Sequence, residues 1–479
     1  MVHGDPVGER SASMNSWFRK YLFVCGLVLL LVAIGVFVKL SSVDRKTIRL
    51  PEVIAETDRI DAGWRLADLD AGMPEIPEAE NAALVLIEVA GMIPRDWPPD
   101  RDSGQKSLGE ELRSWPKEKQ FDDEFTREIQ SALAKIATVV HTAERLADLP
   151  RGRFPLHWSW DNLTAGGGVQ VDHEHALLPI TKLLTASSLL KAQQGDFDGA
   201  LLSCRAALNA GRSFGDHVSM NSFLVRDECR TEALRALERV LAQGEPSAAA
   251  LEQVQSLLEV EESLPLLINT LRLERALGDK FLQASRAGEF GDPRVRGTST
   301  ETTQATMLKY MNRWLEIANL PMPAQIGSLT EENVQFKQSL RRSPLDRMGV
   351  WTDEATFAWV YLSIHLSKFE NVQQSSLASQ AGLRCAIAAS AAERFRQAEG
   401  RWPQSISALV PRFLKDVPSD PFVEATLRLL PADEGLIIYS VGIDSEDHRG
   451  NLSVSRQPGT DLGFRLWNVK RRRQVAETK

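Results

Sequence analysis

The stretch Tyr21–Val38 holds no charged residue, and it constrains this chain more than any other feature. As a helix rising 1.5 Å per residue it would extend roughly 27 Å, close to one bilayer core. Arg19 and Lys20 stand just before it and Lys39 just after. The expected organisation is a single-pass membrane protein, with residues 1–20 as a short head, 21–40 as a transmembrane anchor and the rest on one side. A cleaved signal peptide would have a shorter apolar core and small residues at the cut, and Lys39-Leu40-Ser41-Ser42 is a poor cleavage site. Basic residues are nearly balanced across the stretch: Arg10, Arg19 and Lys20 against Lys39, Arg45, Lys46 and Arg49. Because loop charge decides little here, the short head before a long tail sets the expectation: a cytoplasmic N-terminus and an exported body.

The 479 residues are 43% hydrophobic and 25% charged, enough apolar material for a real core. A net charge of −8 argues against nucleic acid as a partner, since phosphate contacts need a basic face. The one basic cluster, Lys470–Arg473, is expected to be a solvated tail, with headgroup contact as the second reading. Four cysteines give no disulfide or zinc framework. Cys25 falls in the anchor, while Cys204, Cys229 and Cys385 fall in helical patterns and are expected to be buried thiols.

Along the body, residues 41–120 are a linker and a first helical unit. Pro77 and the acidic Glu78–Glu80 precede the apolar run 82–93, and Pro98 to Pro116 has loop composition. Residues 121–286 are expected to form a helical domain. Its clearest helix runs from about Asp122 to Asp148, with Phe125, Ile129, Leu133, Ile136 and Val140 on one face. The triple glycine 166–168 lacks the Lys-Ser or Lys-Thr of a phosphate loop. Ser247 after Gly244 is a good N-cap. A linker is expected at 287–306, then a helical segment at 307–370, an α+β module at 371–468 and the basic tail at 469–479.

Two local resemblances follow. Gly195-Asp196-Phe197, Ala200 and Ala207-Leu208 resemble the second half of a tetratricopeptide repeat (TPR), with no second copy about 34 residues along. Near 385 to 467 the order of features is a helix ending at Gly400, then Trp402-Pro403, Asp420-Pro421, two β-rich runs and Ser440-Val441-Gly442-Ile443-Asp444. This order resembles the globular half of major pseudopilins of type II secretion. The two runs, Ala425–Leu430 and Leu436–Val441, predict a hairpin with a loop of about five residues. The resemblance implies a calcium site in the last loop, with Asp444, Glu446, Asp447 and Asp461 as candidate ligands. A solvated acidic turn is the plainer alternative. The pilin processing site is absent, and the anchor lies far upstream of the module.

Catalytic motifs are sparse. Gly211-Arg212-Ser213-Phe214-Gly215 has the letters of a nucleophile elbow but follows a helical pattern where that motif needs a strand. Asp172-His173-Glu174-His175, with His141, Glu144 and His157, could supply metal ligands, yet no HExxH motif completes a site. His365 is expected in a buried helix. The fold class expected is mainly α: an N-terminal transmembrane helix, a TPR-like helical-hairpin body and a small pseudopilin-like α+β module. The expected function is a membrane-anchored, non-catalytic interaction or assembly component of the bacterial envelope, with a protein partner. The alternative is an exported hydrolase whose site draws on His157, His173 and His175.

Overall fold

The computed structural model describes residues 49–99, 106–154, 174–289, 300–340, 353–452 and 458–475. These build fourteen α-helices and one small sheet. The helices are α1 (Leu50–Ile60), α2 (Leu66–Gly72), α3 (Ala82–Met92), α4 (Leu108–Ser114), α5 (Asp123–Ala134), α6 (Ala137–Glu144) and α7 (Glu174–Gln194). They continue with α8 (Phe197–Arg212), α9 (Met220–Gln243), α10 (Ala248–Ser263), α11 (Leu266–Ala287), α12 (Glu301–Ala318), α13 (Met322–Leu340) and α14 (Asp353–Glu399). Three antiparallel strands follow in the order β1 (Arg428–Ala432), β2 (Gly435–Ser440), β3 (Leu462–Trp467).

The mainly helical body with a small sheet is as expected, but the membrane part of the fold class is corrected. Among the described residues no helix is long and apolar enough to cross a membrane. The long helices carry charge in nearly every turn; α9 alone holds Arg226, Asp227, Arg230, Glu232, Arg235, Glu238 and Arg239. The stretch 21–40 lies outside the described residues.

Caps fix many helix starts. The side chains of Ser107, Asp122, Asp196, Ser219, Ser247 and Thr300 each accept a first-turn amide, at 2.7–3.3 Å. Each such cap stabilises its helix by about 1 kcal/mol. At Ser107 the box is reciprocal, for Glu110 Oε2 accepts the Ser107 amide at 2.9 Å. That box and the complete burial of Leu108 make a helix where the composition of 98–116 suggested only loop.

The helix expected over 122–148 is broken at Lys135–Ile136. The Ile136 amide turns back to Leu133 O at 3.1 Å, and the reorientation brings Val139, Thr142 and Ala143 inward in place of the Ile136–Val140 line. The β-hairpin is tighter than expected. Ala432 pairs with Gly435, leaving Asp433 and Glu434 as a two-residue turn. Pro431 sits within β1, tolerated because β1 is an edge strand.

The main hydrophobic core runs from Leu50 in α1 to Leu466 in β3, with two small satellite clusters around Leu377–Phe422 and Leu69–Leu273. The half-repeat residues place α7 and α8 back to back. Gly195 turns the chain at φ 86°, and Ala200 and Ala207 are fully buried in the joint. Ser188 Oγ donates to Ala200 O at 2.9 Å inside it. The expected boundary at 370/371 falls within α14, whose C-terminal half packs on β2 and β3. The start of α12 at Glu301 likewise lies inside the linker expected at 287–306.

The basic tail is the largest surprise. Arg472 is buried, with its Nε donating to Trp467 O at 2.9 Å and Nη1 to Gly244 O at 2.6 Å. Arg473 donates to Ala192 O and Gln193 O at the end of α7, both at 3.0 Å. The Gln474 amide donates to Glu118 O at 2.8 Å. Helix-end carbonyls attract cations, so this run is a clasp where a solvated tail was expected.

Candidate functional site

The acidic loop after β2 closes on itself. Asp444 Oδ2 accepts the Gly459 amide at 2.6 Å and lies 3.0 Å from His448 Nε2, while Oδ1 accepts the Glu446 amide at 3.2 Å. The Gly459 amide, followed by His448, holds the Asp444 carboxyl down to about 2. Asp447 Oδ1 accepts from Arg449 N at 2.8 Å and Tyr439 Oη at 3.1 Å, and its Oδ2 from Arg428 Nε at 3.1 Å. Asp461 is fully buried and accepts the amides of His448 (3.2 Å) and Gly450 (2.7 Å); burial raises its pKa. Glu446 is exposed. Thus three of the four residues suggested as calcium ligands direct their oxygens at amides or side chains of this module. Among the described residues no group of three or more His, Cys, Asp or Glu could hold a metal ion.

The other sequence candidates scatter. Ser213 is buried at the end of α8, and its Oγ donates to Ala210 O at 2.6 Å, the geometry of a helix end and not of an exposed elbow. His141 and His175 are exposed. Glu144 turns from His141 toward Lys191 Nζ (2.7 Å), Ser187 and Ser203. His157, His173 and the side chain of His365 lie outside the described residues. Cys204, Cys229 and Cys385 are buried free thiols. Burial pushes the first two up to about 12 and the third higher still, so they are not poised as nucleophiles.

Among the described residues a cleft of about 750 Å³, counted to its open mouth and including open solvent, lies between Trp97–Pro98, α4, Trp115, α7 and α9. Its floor is apolar: Trp97, Leu108, Ala186, Leu189 and Ala236 are all buried. Cations ring it, namely Arg113, Lys117, Lys182, Arg235 and Arg239, with Glu232 the one acid in the lining. Glu232 is shared by Arg113 at 3.0 Å and Arg235 at 2.9 Å, and Lys117 pairs with Glu238.

Arg239 is different. Its guanidinium lies over the Phe121 ring at 4.0 Å and donates to three carbonyls: Pro116 O at 2.7 Å, Lys119 O at 2.9 Å and Trp115 O at 3.4 Å. Trp115 in turn stacks on Phe125 at 5.1 Å and donates its Nε1 to Gln120 O at 3.0 Å. With only carbonyls as acceptors, burial draws the Arg239 pKa down to about 9, Glu118 offsetting part of the effect.

The sequence reading missed this cleft. Its walls come from a stretch with loop composition and from two separated helices. Only the arginines recurring at Arg235 and Arg239 on α9 hinted at it, and charged residues on a helix usually mean a solvated face.

No protein family, no curated protein and no solved structure matches this chain.

Proposed function

We propose that this chain is a non-catalytic scaffold of the cell envelope, located at the membrane, which holds a partner protein. The membrane location rests on the charge-free sequence of residues 21–38. The scaffold role is carried by one observation: the buried charged groups hold the body's own parts in register. Glu261 of α10 is gripped by Arg212 at 2.7 Å, by Arg226 at 2.7 Å and by Arg230, joining α8, α9 and α10 into one block. Such a block suits the rigid presentation of a surface. The back-to-back α7–α8 pair supports a TPR-like element within it.

The test is crosslinking in intact cells, then membrane fractionation, detergent purification and mass spectrometry. The expected result is a membrane-fraction protein that carries a stoichiometric envelope partner. Recovery of the folded chain alone, or in the soluble fraction, would overturn the reading.

A further inference from the structure

The C-terminal clasp is built like a peptide complex within one chain. Gln474 runs parallel to Lys119, its amide donating to Glu118 O at 2.8 Å and its carbonyl accepting the Gln120 amide at 2.7 Å. Lys119 O is taken instead by α9, through Arg239 Nη2 at 2.9 Å and Gln243 Nε2 at 3.1 Å. The two arginines before Gln474 enter separate pockets. Arg472 reaches the Glu393 carboxylate and Gly244 O at the end of α9. Arg473 reaches Ala192 O and Gln193 O at the end of α7 and lies over the Phe197 ring at 5.7 Å. A backbone ladder for affinity, with side-chain pockets for specificity, is how a strand edge recognises an extended peptide.

Two observations separate the occupant from its groove. The groove is made by α7, α9 and α14, all packed into the main core. Residues 469–475 add no buried apolar side chain to it, for Val469 and Val475 are 45% and 81% exposed. Polar bonds and the Arg473–Phe197 contact hold the strap, so its departure leaves the core intact. Strain also sits in the strap: Arg473 takes φ 50°, a left-handed conformation costly for any residue but glycine.

We propose that this groove recognises an Arg-Arg-Gln segment of a partner protein, and that residues 472–474 fill it as a displaceable plug. Resting on the scaffold reading for its partner, the site names the part of that partner which is held. A planar guanidinium spans both oxygens of Glu393, or two neighbouring helix-end carbonyls, in a fixed fork that an ammonium lacks. Lysines at the same two positions are therefore poor substitutes.

The experiment is fluorescence anisotropy with a labelled peptide of residues 468–475, blocked at both ends. On the full chain carrying Arg472→Ala and Arg473→Ala, which empties both pockets, saturable one-to-one binding is expected. The wild-type chain, with its plug in place, should bind at least tenfold more weakly. The peptide carrying Arg472→Lys and Arg473→Lys should also lose at least tenfold. No binding to the folded double variant, equal binding to variant and wild type, or equal binding of the lysine peptide would overturn the proposal. Where near-ultraviolet circular dichroism shows the double variant unfolded, the wild-type chain decides: a photo-reactive form of the peptide in excess should crosslink to residues 118–120, and its failure to do so overturns the proposal. These measurements use purified protein and leave the scaffold reading to its own test in cells, so the two can fail separately.

Discussion

Arg472 grips Glu393 through both Nη atoms, at 2.9 and 2.8 Å, with both side chains almost wholly shielded from water. Glu393 lies on α14 and also accepts from Arg396 Nη2 at 2.7 Å. The pair therefore fastens the last residues of the described chain to the longest helix.

Removing one partner of a buried ion pair leaves the other charge desolvated and costs about 3–5 kcal/mol. Arg472→Ala should show that loss in urea unfolding, and truncation after Asn468 should show at least as much. A solvated tail would instead change stability by less than about 0.5 kcal/mol, and that result would refute the clasp.

Glu261 makes acid stability predictable in sign. Burial works to raise its pKa, but Arg226, Arg230 and Arg212 outweigh it and hold the carboxyl far below the usual range. A depressed carboxylate stabilises the fold above its unfolded pKa and loses that contribution as pH falls. The loss should begin near pH 4.5, the ordinary glutamate value, and deepen further down. Glu261→Gln should cost about 3–5 kcal/mol at pH 7 and flatten the acid limb of a stability–pH curve. An unchanged limb in that variant would assign acid lability to other carboxylates.

Asp420 knots the sheet to the preceding loop. It accepts from Ser440 Oγ at 2.7 Å, Val441 N at 3.0 Å and Phe422 N at 3.0 Å, all buried. Asp420→Ala strands these donors, at up to about 1–3 kcal/mol each; Asp420→Asn keeps one acceptor and should cost less. Amide hydrogen exchange at Val441 should accelerate in the alanine variant. Unaltered protection there would show that the aspartate is dispensable.

Local order was well written in the sequence. The Phe125-Ile129-Leu133 stripe, the Ser247 cap, the Gly400 stop and the Leu436–Val441 run each act within a few residues, through periodicity, capping or turn chemistry. Where local signals competed, packing decided. Pro431 entered a strand because an edge position forgives its missing amide, and residues 108–114 became helical because Leu108 found a core.

The cleft and the clasp were not legible, and the reason is the distance along the chain. Arg472 meets a carboxylate on α14, and Arg239 meets carbonyls before α5, so a one-dimensional reading can treat both only as surface charge. The acidic loop shows the converse: Asp444, Asp447 and Asp461 look like free ligands until backbone amides are seen to occupy them. By itself the sequence determined several helix caps and stops, the first β-hairpin and the burial of Cys204, Cys229 and Cys385, because these follow from neighbours along the chain. Only the tertiary structure decided which charges are buried, which oxygens are engaged and where an open cleft remains, because those depend on groups that folding alone brings together.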